Sequence, residues 1–175
     1  MDSLRRGLCL TVPFLLVIWL GGCGQPLQKA TDSVAPPRGF LHASWGMSVE
    51  EVKEAIRKDG HRWFQDNTDR PPYALYASGD QWDFSAILSY FFTPLTRKLY
   101  RVDVTFGDLR AYEKARAELL QAYKGPAYVQ KGVEHWSWGD RSLVILQQDS
   151  ASVQVSFSSG PWLILNQQEN PIASR

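Results

Sequence analysis

Few side chains in this sequence are of types that make or break bonds, and their spacing limits what each can do. Of the two cysteines, Cys23 follows Leu20-Gly21-Gly22, small residues that leave the backbone and the thiol open to an enzyme. A thiol so placed is open to modification on its sulfur. The three histidines His42, His61 and His135 stand apart from one another, and no grouping of Cys, His and Asp has the spacing of a metal site. Asp66 and Asp69 share a polar run with Asn67, but the central glycine and late glutamate of a calcium loop are missing. The carboxylate pairs Glu50 with Glu51 and Asp80 with Asp83 sit where helix starts and turns favour them. No Gly-x-Ser-x-Gly, P-loop or dinucleotide fingerprint is present, so the reading is of a non-enzymatic chain with no catalytic residue, metal or cofactor.

The text before Cys23 has the plan of a secretory signal: Arg5 and Arg6, then an apolar run over 8–20, then Gly21-Gly22. That run is shorter than the about 20 apolar residues a spanning helix needs. The segment Leu20-Gly21-Gly22-Cys23 resembles the lipobox of bacterial signal peptidase II substrates. The resemblance implies cleavage between Gly22 and Cys23, diacylglycerol on the Cys23 sulfur and often a third acyl chain on the new N-terminus. Each buried methylene adds about 0.8 kcal/mol and one chain alone anchors only reversibly, so several chains would hold the protein on a membrane. By the sorting habit of enteric lipoproteins, Gly24 in place of an aspartate implies the outer membrane, with the body facing the periplasm.

Cys9 lies in the signal and Cys23 takes the lipid, so the body expected here forms no disulfide and must be held by packing. From Cys23 onward there are 17 basic and 17 acidic side chains. A balance near zero with no basic stripe speaks against nucleic acid as a partner. Six tryptophans outside the signal, Trp45, Trp63, Trp82, Trp136, Trp138 and Trp162, can fill a core and leave some for a surface.

The elements that would position these residues begin after a tether over 23–39, which has three prolines and no hydrophobic period. A single α+β domain is expected over 40–165 and a tail over 166–175. Ser48 and Glu51 form a capping box, and Val49, Val52, Ala55 and Ile56 share one face of a helix over 48–59 that Gly60 ends. A polar loop is read over 65–72, then strands over 73–76, 84–92 and 98–106, the last alternating Tyr100, Val102, Val104 and Phe106 with polar neighbours. A second helix is expected over 109–123, with Asp108 as its cap and Leu109, Tyr112, Leu119, Leu120 and Tyr123 as its apolar stripe. Three further strands over 133–138, 143–147 and 153–157 are joined by connections of hairpin length. The halves 44–106 and 107–160 run in the same order, helix then strands, which reads as a degenerate repeat of two helices on a mostly antiparallel sheet.

Trp45-Gly46-Met47-Ser48-Val49-Glu50-Glu51-Val52 resembles the motif that opens the first helix in small periplasmic lipoproteins of the SmpA/OmlA (BamE-like) family. That resemblance implies a compact two-helix, antiparallel-sheet domain acting as an accessory in outer-membrane protein assembly. In this chain the body is longer, and Gly60-His61-Arg62-Trp63 stands where the family has a Gly-x-Pro turn. The duplicated plan also resembles the beta-lactamase-inhibitor-protein fold, whose members grip other proteins on an open sheet face. Trp136 and Trp138 are read as core, while Trp63, Phe64 and Trp162 are the candidate interface residues. The expected partners are a membrane, through lipid on Cys23, and an envelope protein; the other reading is a small ligand or envelope glycan stacked on aromatic side chains.

Overall fold

The computed structural model describes residues 34–170. In chain order the elements are β1 (Gly39–Phe40), β2 (Ala43–Ser44), α1 (Val49–Lys58), β3 (Arg62–Asn67), β4 (Ala74–Gln81), β5 (Phe84–Phe92), β6 (Leu99–Phe106), α2 (Ala111–Tyr123), β7 (Tyr128–Gln130), β8 (Val133–Ser137), β9 (Leu143–Gln148), β10 (Val153–Ser158) and α3 (Gly160–Glu169). β1 and β2 pair as a hairpin, and the other eight strands form one antiparallel sheet in the order β3-β4-β5-β6-β10-β9-β8-β7. The class is α+β, with the sheet dominant. A helix and a four-strand meander lie on each side of the seam between β6 and β10, which pair from Val153 with Phe106 to Ser158 with Arg101.

Strand alternation builds the core. Leu88 and Tyr90 of β5 face Val104 and Val102 of β6, and across the seam Val155 and Phe157 of β10 lie beside the same two valines. β9 continues the layer with Leu146 and Val144, and β8 with Trp136. All of these are buried in one cluster with Val52, Ala55 and Ile56 of α1 and Ala111, Ala115 and Leu119 of α2, so both helices cover the same sheet face. Each large apolar side chain so buried contributes roughly 1.5–3 kcal/mol. Trp136 and Trp138 are both core residues.

Local contacts fix the helices. Ser48 donates its N–H and its hydroxyl to Glu51 Oε2, each at 2.7 Å, closing the capping box that starts α1. Lys53 reaches Asp66 of β3 at 3.0 Å and sits over the Trp63 ring, tying α1 to that strand. On α2, Tyr112 Oη and Arg116 Nε donate to the buried Glu134 of β8 at 2.8 and 2.6 Å. Burial, then the Glu134 bond, push the Tyr112 hydroxyl up to about 12.

Several sequence expectations change. The polar stretch read as a loop over 65–72 begins as strand: β3 is an edge strand, exposed along most of its length, so it lacks the alternation that marks a half-buried strand. β4 runs on to Gln81 rather than stopping at Tyr76. The cap of α2 is Arg110, not Asp108, whose carboxylate instead bonds the Arg110 N–H; of the expected stripe Leu119 is buried and Tyr112, Leu120 and Tyr123 pack against the core, Ala111 and Ala115 join them, and Leu109 is exposed. There is a third helix, α3, where the domain was expected to end at 165 and give way to a tail. Its apolar residues Trp162 to Leu165 are consecutive and are followed by Asn166-Gln167-Gln168-Glu169, so it shows no helical stripe, which hid it.

The last residues of the expected tether, 34–38, have no regular structure but are held to the body. Trp138 Nε1 donates to the Val34 carbonyl and Trp45 Nε1 to the Pro37 carbonyl, each at 2.7 Å. Gly22, Cys23 and the rest of the lipobox and signal lie outside the described residues, as does the chain beyond 170.

Candidate functional site

The sheet face opposite α1 and α2 stays accessible along most of its strands. Alternation from the buried layer assigns it Tyr76, Ser78 and Asp80 from β4, Ser85, Ile87, Ser89 and Phe91 from β5, Asp103 and Thr105 from β6, Gln154 and Ser156 from β10, and Ile145 and Gln147 from β9. α3 crosses only the end of the sheet where β6 begins, with the Ser159 N–H on the Tyr100 carbonyl and Glu169 on the β5–β6 turn. Ser78, Asp80, Ser85 and Gln147 are exposed, and Ile87 is 49% exposed at the middle of its strand.

A line of polar side chains crosses the centre of this face. Arg101 donates to Asp103 through Nε at 2.7 Å and Nη2 at 2.6 Å, a two-point pair. Gln154 Nε2 donates to Asp103 at 3.0 Å, and Gln147 Nε2 donates to Gln154 Oε1 at 2.6 Å. Asp103 is buried beneath these partners, while the Arg101 guanidinium lies 5.2 Å from the Phe91 ring centre. Burial pulls the Arg101 pKa down, but the Asp103 bond and charge outweigh it and hold the guanidinium above its ordinary value. The line is therefore a hydrogen-bonded strip, with one ion pair, among Ile87, Phe91 and Ile145, and it offers hydrogen-bonding edges beside apolar surface.

Towards the β7 edge, the His135 ring stacks on Tyr128 with centres 4.3 Å apart. Burial lowers the His135 pKa, so this ring is neutral at pH 7. Its Nδ1 is buried and has no hydrogen-bond partner among the described residues.

The residues chosen from the sequence lie elsewhere. Trp63 is half-buried on the helix-covered side of β3, across from Ala77 and under Lys53. Phe64 is 53% exposed at the bulge between Trp63 and Gln65, and with Trp63, His61 and Arg57 it edges an open depression. Trp162 of α3 packs against Gly46, in a separate groove shared with Trp45 and Pro37. The structure thus brings Trp63 and Phe64 together and leaves Trp162 apart from them. The open face had a signal of its own in the alternation Ser85, Ile87, Ser89, Phe91, but its centre depends on the β6–β10 pairing of distant segments.

A smaller cavity of about 190 Å³ lies between β1 and α2, lined by Phe40, Gln81, Trp82, Leu119, Tyr123 and Phe157 among others. Among the described residues, no three His, Cys, Asp or Glu side chains gather as a metal ion would require, and no helix is long and apolar enough to cross a membrane. Compared with known proteins, the chain matches no family model, no curated protein and no solved structure.

Proposed function

We propose that this protein is a lipid-anchored, non-enzymatic envelope module that docks another protein on the open face of its sheet. The observation that carries the reading is the layout of that face: eight strands with both large helices on one side, and on the other a fixed Arg101–Asp103–Gln154–Gln147 line among partly exposed apolar side chains. A pre-ordered polar strip beside apolar surface loses little entropy on binding, which suits protein docking. The anchor part of the proposal rests on the lipobox residues Leu20-Gly21-Gly22-Cys23 and places the body in the periplasm at the outer membrane.

The two halves, each a helix and four strands meeting at their last strands, support a degenerate repeat and the likeness to beta-lactamase-inhibitor-protein domains. The SmpA/OmlA likeness around α1 supports an accessory role in envelope assembly. The other reading, a small-ligand or glycan binder, draws on the open depression of about 510 Å³ edged by Trp63 and Phe64 and on the cavity of about 190 Å³ beside α2.

The test is a photocrosslinking residue placed in the full chain in cells at Ile87 or Ile145 on the open face, and at Gln121 on α2. One reproducible envelope-protein adduct from the first two positions and none from Gln121 is expected. Equal labelling at all three, or none, refutes docking on this face. Separately, Cys23→Ser should leave an uncleaved, unlipidated precursor, and normal processing of that variant sinks the anchor.

A further inference from the structure

The bulge in β3 leaves side chains on the surface that the fold does not use. Trp63 pairs with Ala77 and Gln65 with Tyr76, so Phe64 is the extra residue with no partner on β4. A bulge of this kind re-aims a side chain, and here it leaves a phenylalanine ring exposed on the outermost strand of the sheet. Arg62, opposite Ser78, is exposed as well and makes no ion pair or side-chain hydrogen bond among the described residues. Arg57, in the last turn of α1, gives Nη1 to Glu54. With His61 and Trp63 these three line the open depression of about 510 Å³, and no carboxylate among the described residues lines it. His61 Nε2 donates to the Asp80 carbonyl at 3.2 Å, so in the neutral ring Nδ1 is an acceptor, and that atom is buried with no donor among the described residues.

The acids around the depression are engaged: Glu54 with Arg57, Asp59 with His42, Asp66 with Lys53 and Asp80 with Ser85. Their charges remain, so the wider surface is mixed, and selection is made by contact at the depression rather than by a long-range field. An unpaired guanidinium calls for a carboxylate or phosphate, which it can meet with two parallel N–H bonds. The Phe64 and Trp63 rings call for a flat apolar face beside that anion. A cavity of about 150 Å³ holds one benzene ring, so the depression has room for two or three rings. A short run of sugar rings bearing an acid group meets all three demands, and its hydroxyls are the kind of donor that His61 Nδ1 lacks.

We propose that the β3 edge is a binding site for an acidic oligosaccharide, with its carboxylate or phosphate on Arg62 and its rings on Phe64 and Trp63. This deepens the glycan reading of the depression and rests on it, while docking on the open sheet face is independent of it.

The test uses the chain from residue 23 onward carrying Cys23→Ser, which keeps every residue described, labelled with nitrogen-15 for NMR titration. Trigalacturonate is the carboxylate probe, with its methyl ester as the neutral match; glucose 6-phosphate, with glucose as its match, is the phosphate probe. At least one acid should bind with a Kd of about 1 mM or below, shifting the Trp63 indole and Phe64 amide signals, and its neutral match should bind at least about tenfold more weakly. The acid that binds more tightly names the anion. Arg62→Ala should weaken the acid at least about tenfold and Phe64→Ala at least about threefold, while Gln121→Ala on α2 should change nothing. All three positions are exposed, and circular dichroism checks that the variants fold. Equal binding of an acid and its neutral match, or undiminished binding by Arg62→Ala, overturns the acidic site and leaves the glycan reading standing. Shifts confined to residues away from β3, or no shifts up to about 10 mM of any probe, overturn both.

Discussion

Removing the Glu169 carboxylate should detach α3 from the β5–β6 turn. Glu169 is 9% exposed; its Oε2 accepts the Leu95 and Thr96 N–H groups at 2.7 and 3.0 Å, and its Oε1 accepts the Thr96 hydroxyl at 2.7 Å. Hydrogen bonds to a charged group contribute about 1.5–3 kcal/mol each, but three that share one carboxylate do not add independently. Leu95 and Thr96 are exposed, so water would replace part of what is lost. Glu169→Ala is therefore expected to destabilise by about 2–3 kcal/mol, a fall of about 6–15 °C in Tm for a body of this size, and Glu169→Gln by about half of that.

The same contact has a pH signature. Burial raises the Glu169 pKa, but the bonds from Thr96 and Leu95 outweigh it, leaving the group below its ordinary 4.5. A depressed carboxylate stabilises the fold above the unfolded value and loses that contribution as the pH falls through the folded one. The gap between wild type and Glu169→Gln should therefore be full at pH 7 and close progressively below 4.5. Thermal melts across pH and amide exchange at Leu95 and Thr96 measure it. A Glu169→Ala protein that melts within a degree or so of wild type, with both amides equally protected, refutes the reasoning.

Two further outcomes follow from tight or neutral buried rings. A Cβ on Gly79 would land on the His61 ring, so Gly79→Ala should destabilise by about 1–3 kcal/mol, and adding His61→Ala should recover part of that in a double-mutant cycle on chemical denaturation. Because burial depresses the His135 pKa from 6.5, the unfolded chain takes up this proton at a higher pH than the folded one, and stability from this residue declines as the pH falls below 6.5. His135→Phe keeps a ring against Tyr128 and should shrink the loss of Tm between pH 8 and 5.5; an unchanged loss shows that the ring does not titrate in this way.

What could be read from the sequence was local. The Ser48–Glu51 capping box, the alternation of β6 and the hairpin-length connections all depend on residues within a few positions of one another, and each leaves a pattern in the text. β3 and α3 escaped for opposite reasons. β3 is an edge strand exposed along most of its length, so its text looks like a loop, whereas α3 is an apolar block followed by a polar block and has no stripe. The candidate face was hidden more deeply, because its centre forms where Gln154 meets Asp103, 51 residues apart in the chain. Trp63 illustrates the limit: it borders a polar run in the sequence, but the register with Ala77 turns its ring towards Lys53 and the helix side.

The seam between β6 and β10 also poses a problem of registration. A slip of one residue would turn Val153, Val155 and Phe157 out of the core, a large penalty that the hydrophobic pattern enforces unaided. A slip of two keeps every apolar side chain inside, since valines and a phenylalanine would still meet valines and a phenylalanine on the facing strand. The open face adds its own discrimination: Gln154 must stand where it can reach Asp103, and a two-residue shift puts serine in its place, while Phe157 would also leave the Phe40 ring. The polar strip thus works as a reading frame for the sheet, and it reinforces the alignment that the packing of Phe157 on Phe40 also selects.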